Sequence, residues 1–135
     1  MDHHWCKSGL APDPDNYFGF VYIITNNITG RKYIGKKQYY HRVAKVKKGR
    51  KRYQNVDGGW QFYSGSSAEL TRDIEKDGKE NFTFRILSHH KWKSSLWYAE
   101  IKEIVLRDAL PKREEYYNGM IPAMKFRPKS DEDEK

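Results

Sequence analysis

Cysteine is almost absent from this chain of 135 residues. Cys6 stands alone, so no internal disulfide can form, and a reducing cytosol is compatible with the composition. No run is long and apolar enough to span a bilayer, which argues against a membrane partner. The opening stretch MDHHWCKSGLAPDPDNY lacks the apolar core of a signal peptide, so a cytoplasmic location with no targeting signal is expected. No segment repeats at a fixed period, and the length suits one domain. Acidic residues are scarce outside the C-terminus. Asp131 to Lys135 hold four acids and one base, leaving 25 basic against 14 acidic residues elsewhere, an excess of 11. The whole chain carries a formal charge of +8. Such an excess points to a polyanion, nucleic acid first, with plain solubility as the bland alternative.

What is present divides into three parts: a polar arm (1–18), a central domain (19–124) and a charged tail (125–135), disordered beyond Pro128. The arm contains Pro12 and Pro14 and should be irregular, pinned by Trp5. Phe20 to Thr25 is aromatic and β-branched and reads as a strand. Asn26 to Gly30 is turn chemistry, and Lys32 to Gly35 is a second strand, making an antiparallel hairpin. Lys36 to Arg52 holds nine Lys or Arg and no acid, and its tip KVKKGRKRY reads as a solvated loop. A helix follows, with Ser66 and Glu69 at capping-box spacing and Gly78 as its stop. Asn81 to Leu87 alternates as a third strand. A second helix, capped by Ser94 or Ser95, ends before Pro111 and presents an apolar stripe of Trp97, Ile101, Ile104 and Val105. The fold class is α/β (α+β): a small three-stranded antiparallel sheet flanked by helices.

Several residues stand out chemically. A hairpin centred between Asn27 and Ile28 sets Tyr22 opposite Tyr33, and any even shift of register keeps both on one face. They form either a stacked structural pair or a polar site for a phosphate beside the basic run. Glu100 falls between Trp97 and Ile104, at the edge of the apolar stripe. A carboxylate there is half desolvated and calls for a cation or a metal, unless it reaches water; Glu103, one turn on, competes for the role. His3, His4, Cys6, His89 and His90 lack zinc-ligand spacing and read instead as a flexible N-terminus and a surface loop. Trp60, Phe62 and Tyr63 are assigned to the core rather than to a DNA platform.

Phe20-Val21-Tyr22, ten intervening residues, then Tyr33-Ile34-Gly35 resembles the GIY-YIG nuclease family. The likeness continues through Lys36, Arg42, the YSGSS stretch before a helix, GKENFTFRIL, Leu96-x-x-x-Glu100-x-x-x-Ile104, and Tyr117-Asn118, and so covers about residues 19–120. The wording is most similar to the free-standing Seg-type endonucleases of tailed phages. Gly19 is displaced by one residue from the usual place in the first triplet. The resemblance implies a DNA endonuclease acting on double-stranded DNA in a bacterial or phage-infected cell, with one Mg2+ (or Mn2+) held by Glu100. It makes Tyr22 the acceptor of the proton from the attacking water, Tyr33 its orienting partner, and Arg42 the clamp on a phosphate oxygen. Arg50 and Arg52 are alternative arginines, and His41 could also act in the site. Lys36 and Arg42 would supply the positive charge that lowers the Tyr22 pKa. Asn118 would hold the site closed. Lys37, Lys45, Lys47, Lys48, Arg50, Lys51 and Arg52 would bind DNA.

The rival class is a catalytically inactive basic nucleic-acid-binding module. The retention of Tyr22, Tyr33, Arg42, Glu100 and Asn118 speaks against it. Homing relatives carry a further DNA-reading domain, which residues 125–135 are too short to form. Specificity would then come from the domain itself, the basic arm or dimerisation, or be low. One active site cuts one strand, so double-strand cleavage needs a homodimer or two successive events.

Overall fold

The structure, a computed structural model, describes residues 4–6, 9–123 and 127–130. His3 and the acidic run 131–135 lie outside them. Three antiparallel strands form the main sheet in the order β2-β1-β5: β1 (Gly19–Asn26), β2 (Lys32–Gln38) and β5 (Phe82–His90). Helices α1 (Ala68–Asp77) and α2 (Lys93–Leu106) flank it. A separate two-stranded sheet, β3 (Tyr40–Lys47) and β4 (Arg50–Asp57), follows β2.

β1 is the central strand and is buried on both faces, as its nearly unbroken run of apolar and aromatic residues requires. Phe20, Tyr22 and Ile24 face α1 and pack with Tyr39, Trp60, Leu70 and Phe84. Val21 and Ile23 face α2 and pack with Ile34, Leu96 and Ile104. The turn between β1 and β2 is tied by Asn26. Its Oδ1 accepts from the N–H groups of Ile28 and Thr29 at 3.0 and 3.3 Å, and Gly30 supplies a positive φ of 80°. The register pairs Tyr22 with Gly35 and Ile24 with Tyr33. The tyrosines are therefore diagonal neighbours, two residues off the directly opposed pairing expected from the sequence, but still on one face.

Other boundaries move for local reasons. The N-cap of α1 is Ser67, not Ser66: its side chain accepts from Leu70 N–H, and Ser66 turns instead to Tyr33. α2 starts at Lys93 after Trp92, whose carbonyl accepts from Ser95 Oγ at 3.0 Å, so neither serine caps it. Its buried row is Leu96, Glu100 and Ile104, with Val105 53% exposed. Of the stripe expected along Trp97, Ile101, Ile104 and Val105, only Ile104 is buried; the row is rotated, and Glu100 lies at its centre. His89 and His90 end β5 rather than forming a surface loop.

The basic run is not a loop. Tyr40 pairs with Asp57 and the register continues without a break to Lys47 and Arg50. Lys48 and Gly49 turn the chain with φ of 54° and 75°, the two positive values that a tight type I′ hairpin needs. The N-terminal segment also joins the fold. Trp5 is fully buried, its Nε1 donates to the Trp60 carbonyl at 2.8 Å, and Gly9 bridges to Ile86 at the β5 edge.

Candidate active site

The sequence-derived residues gather around the middle of β2, which presents them on both of its faces. Toward α1, Tyr33 packs against the first core with its ring centroid 6.3 Å from that of Tyr22. Toward α2, Lys36 reaches Glu100, with Nζ 3.0 Å from Oε1. Gly35 lies between them. A Cβ at Gly35 would stand 2.3 Å from the Tyr22 hydroxyl oxygen, and one at Gly65 would stand 3.2 Å from it. The two glycines therefore form the slot into which the hydroxyl projects. Tyr22 is 1% exposed, packed against Trp5 at 5.0 Å between centroids and edge-on to Tyr63 at 6.1 Å. Tyr33 shares a hydrogen bond of 3.1 Å with Ser66 Oγ.

Asn118 acts on the β2 edge. Its Oδ1 accepts from Ile34 N–H at 2.9 Å and its Nδ2 donates to Ile34 C=O at 2.8 Å. The side chain thus imitates a paired strand. It continues the main-chain cover begun by Lys32 N–H to Glu115 C=O and Tyr117 N–H to Lys32 C=O. Without it, the fully buried Ile34 would leave an N–H and a C=O unpaired.

The electrostatics differ from expectation in sign. The Tyr22 pKa is raised well above the ordinary phenol value, first by burial, then by the charges of Tyr33, Tyr63 and the Glu100 carboxylate. Burial also raises Tyr33, with Glu100 adding to the effect and Ser66 opposing it. Neither Lys36 nor Arg42 is among the groups that act on either tyrosine. The expected lowering is absent because Lys36 is engaged by Glu100 and sits 4.1 Å above the Trp97 ring. Burial likewise raises the Glu100 pKa, opposed by Lys36.

Among the described residues, no three His, Cys, Asp or Glu side chains gather into a metal-holding group. Glu100 offers one carboxylate, with Lys36 on Oε1 and no described side chain on Oε2. That donor set fits a hard divalent ion that keeps most of its water, such as Mg2+, and does not fit a closed zinc site.

Arg42 and His41 stand apart from this cluster. They lie in β3 at the base of the hairpin and line a cleft with Tyr17, Asn55 and Lys93. The Arg42 guanidinium covers the Tyr53 ring at 4.4 Å, and no described contact joins it to Tyr22, Tyr33 or Glu100. Lys37, assigned by sequence to DNA, sits 4.5 Å over the Tyr63 ring on the tyrosine face. Glu103 pairs with Arg107 at 2.9 Å. Trp60 is core and Phe62 is 59% exposed. Tyr63, Gly65 and Trp97 were not assigned to the site by sequence. The YSGSS stretch, with a glycine between hydroxyl residues, was the one visible signal for the first two.

A family model described as "Putative endonuclease segE, GIY-YIG domain" matches residues 5–121. The chain belongs to this GIY-YIG family. It is also similar to "Putative endonuclease segE" of Enterobacteria phage T4, at 32% identity over 101 residues, 75% of this chain and 40% of that protein. The chain therefore spans about 40% of the length of the curated relative it matches. No solved structure matches. The GIY-YIG match begins at Trp5, in keeping with the burial of that side chain beneath Tyr22. Within this GIY-YIG domain the first tyrosine stands on the central strand, and the second triplet stands on the neighbouring strand that Asn118 covers.

Proposed function

We propose that this chain is a divalent-metal-dependent DNA endonuclease that hydrolyses phosphodiester bonds, one strand per active site. The observation that carries the reading is a carboxylate, Glu100, at the centre of the buried row of α2. It is paired with Lys36 from the second triplet and close enough to charge-couple with Tyr22 and Tyr33. A buried carboxylate is costly unless a cation compensates it, and one lysine leaves its second oxygen for a metal or a substrate-bound ion.

Glu100 would hold Mg2+ or Mn2+. When bound, the ion supplies the positive charge that phosphodiester cleavage requires at the non-bridging oxygens. Tyr22, held in its glycine slot, takes the proton from the attacking water. Tyr33, steadied by Ser66, orients that water or the phosphate. Lys36, held at once by Glu100 and the Trp97 ring, would present its charge to a phosphate oxygen. Arg42 and His41 would engage the same strand at the base of the hairpin, where Arg42 would clamp a phosphate oxygen. Asn118 keeps β2 in register beneath them.

Plasmid nicking with and without Mg2+ tests the reading. Wild-type protein should convert supercoiled circles to nicked circles first, with linear DNA arising later from independent cuts. Glu100→Ala should abolish cutting while folding and DNA binding persist. Undiminished Mg2+-dependent cutting by that variant would sink the assignment and turn attention to Glu103. Binding without any cutting by the wild type would favour an inactive nucleic-acid-binding module.

A further inference from the structure

Resting on that reading of the chain as a DNA-cutting domain, we propose that the β3–β4 ribbon lies in the major groove of duplex DNA beside the cut. One face of it, carrying Lys45, Lys47, Arg50 and Arg52, is turned to the flanking phosphates. The register sets the assignment. Lys45 is paired with Arg52, and Lys47 with Arg50. Strand alternation puts all four side chains on the same face. Like charges directly opposite each other weaken a hairpin, so this face is built for an external anion rather than for the fold. The other face is different: it carries Ala44 and Val46 and the Tyr53 ring, with Arg42 over that ring at 4.4 Å and Lys51 at 5.8 Å.

The ribbon also has the dimensions of a groove reader. It is a sheet of its own, exposed along β4 and from Ala44 to Lys47 of β3, and its Lys48-Gly49 turn closes without a bulky loop. Eight paired rows at about 3.3 Å each make a rod of about 25 Å. Two strands with their side chains fill a space of about 10 Å, which the ~12 Å major groove of B-form DNA admits and the ~6 Å minor groove does not. The deep, narrow major groove of A-form RNA excludes it too. The base of the ribbon points back toward the chemistry. His41 and Arg42 line the cleft with Lys93, and Lys93 and Lys36 sit over the same Trp97 ring at 5.3 and 4.1 Å. A continuous cationic path therefore joins Glu100 to the ribbon.

The test is binding in EDTA to a 30-base-pair DNA duplex and to the same sequence as duplex RNA, with dimethyl sulfate probing of guanine N7. The wild type should protect N7 in the major groove and favour the DNA duplex. Replacing Lys45, Lys47, Arg50 and Arg52 with Gln should remove the protection and flatten the log–log salt slope by about 3 to 4, the release expected for four phosphate contacts. Lys48→Gln with Lys51→Gln, at the tip and on the other face, should change the slope by less than about 1. Circular dichroism checks folding, and should the fourfold variant unfold, Lys47→Gln with Arg50→Gln alone must still flatten the slope by about 1.8. Unprotected N7, equal affinity for duplex RNA, or equal effects of the two variant sets would overturn the proposal. So would a concentration-dependent dimer that the fourfold variant abolishes without loss of DNA binding. A wild type that protects N7 but never cuts leaves the ribbon standing and removes the nuclease reading.

Discussion

At Gly35 a single added methyl group would collide with the Tyr22 hydroxyl, and that close approach explains why the second triplet ends in glycine. The residue is not needed for a special backbone angle, since it is absent from the positive-φ glycines. It is needed so that the phenol can lie over the β2 backbone, near enough to feel the Glu100 carboxylate. Burial holds that phenol protonated at neutral pH. For a proton acceptor with a raised pKa, the reactive tyrosinate fraction grows about tenfold per pH unit until the pKa is reached. Single-turnover cleavage should accordingly rise with pH through the neutral range. Tyr22→Phe should abolish that slope and cost about 10²–10⁴ in rate, the usual worth of a general base. Tyr33→Phe should cost less, because it loses an orienting hydrogen bond and the contact to Ser66 but no proton transfer. Wild-type rates for both phenylalanine variants would reduce the tyrosines to packing and leave His41 as the next base to examine.

At the scale of elements, the three main strands and two helices were legible because their apolar periods are strong. β1 is a continuous run, β5 alternates, and α1 is bounded by a serine and a glycine. The ribbon was not legible: a stretch of nine cations carries no burial signal, and strand pairing there is set by the positive-φ turn at Lys48-Gly49. The rotation of α2 was hidden for a related reason. A buried carboxylate breaks the apolar stripe, so Glu100 looked like an edge residue when it was the centre of the buried row. Asn118 was legible as a structural residue, and the geometry shows what it does to β2. Asn118→Ala removes both partners of the Ile34 backbone at once. Two buried backbone groups left unpaired cost about 2–4 kcal/mol together. Urea denaturation should show a loss of that size, with the activity of the molecules that remain folded reduced far less than by Glu100→Ala. A loss of activity equal to that of Glu100→Ala, at unchanged stability, would place Asn118 in the chemistry instead.

Across the whole molecule, the N-terminal segment holds both the site and the far end of the sheet. Trp5 sits beneath Tyr22, and His4 Nε2 donates to the Tyr63 carbonyl at 2.8 Å. Farther along, Tyr17 stacks on His89, and the Asp13 N–H donates to the Tyr39 hydroxyl at 2.9 Å. That hydroxyl also shares a hydrogen bond of 2.7 Å with His89 Nε2. Beyond the pinning by Trp5, none of this was visible in a polar segment with two prolines, because its other anchors are single side chains without a period. Burial lowers the His89 pKa below its ordinary 6.5, only partly offset by Asp13, with His90 lowering it further. Above pH 6.5 the imidazole is neutral in both folded and unfolded chains, and its contribution is intact. Below 6.5 the unfolded chain takes up the proton first, so stability is lost as pH falls toward the folded value. Thermal melts at pH 7.5 and 5.5 should therefore show a larger drop for the wild type than for His89→Gln. The variant should be the less stable at pH 7.5, and the gap between the two should narrow at pH 5.5. A gap that stays constant between the two conditions would mean that His89 carries no proton linkage and that the Tyr17–His89–Tyr39 stack closes the molecule by packing alone.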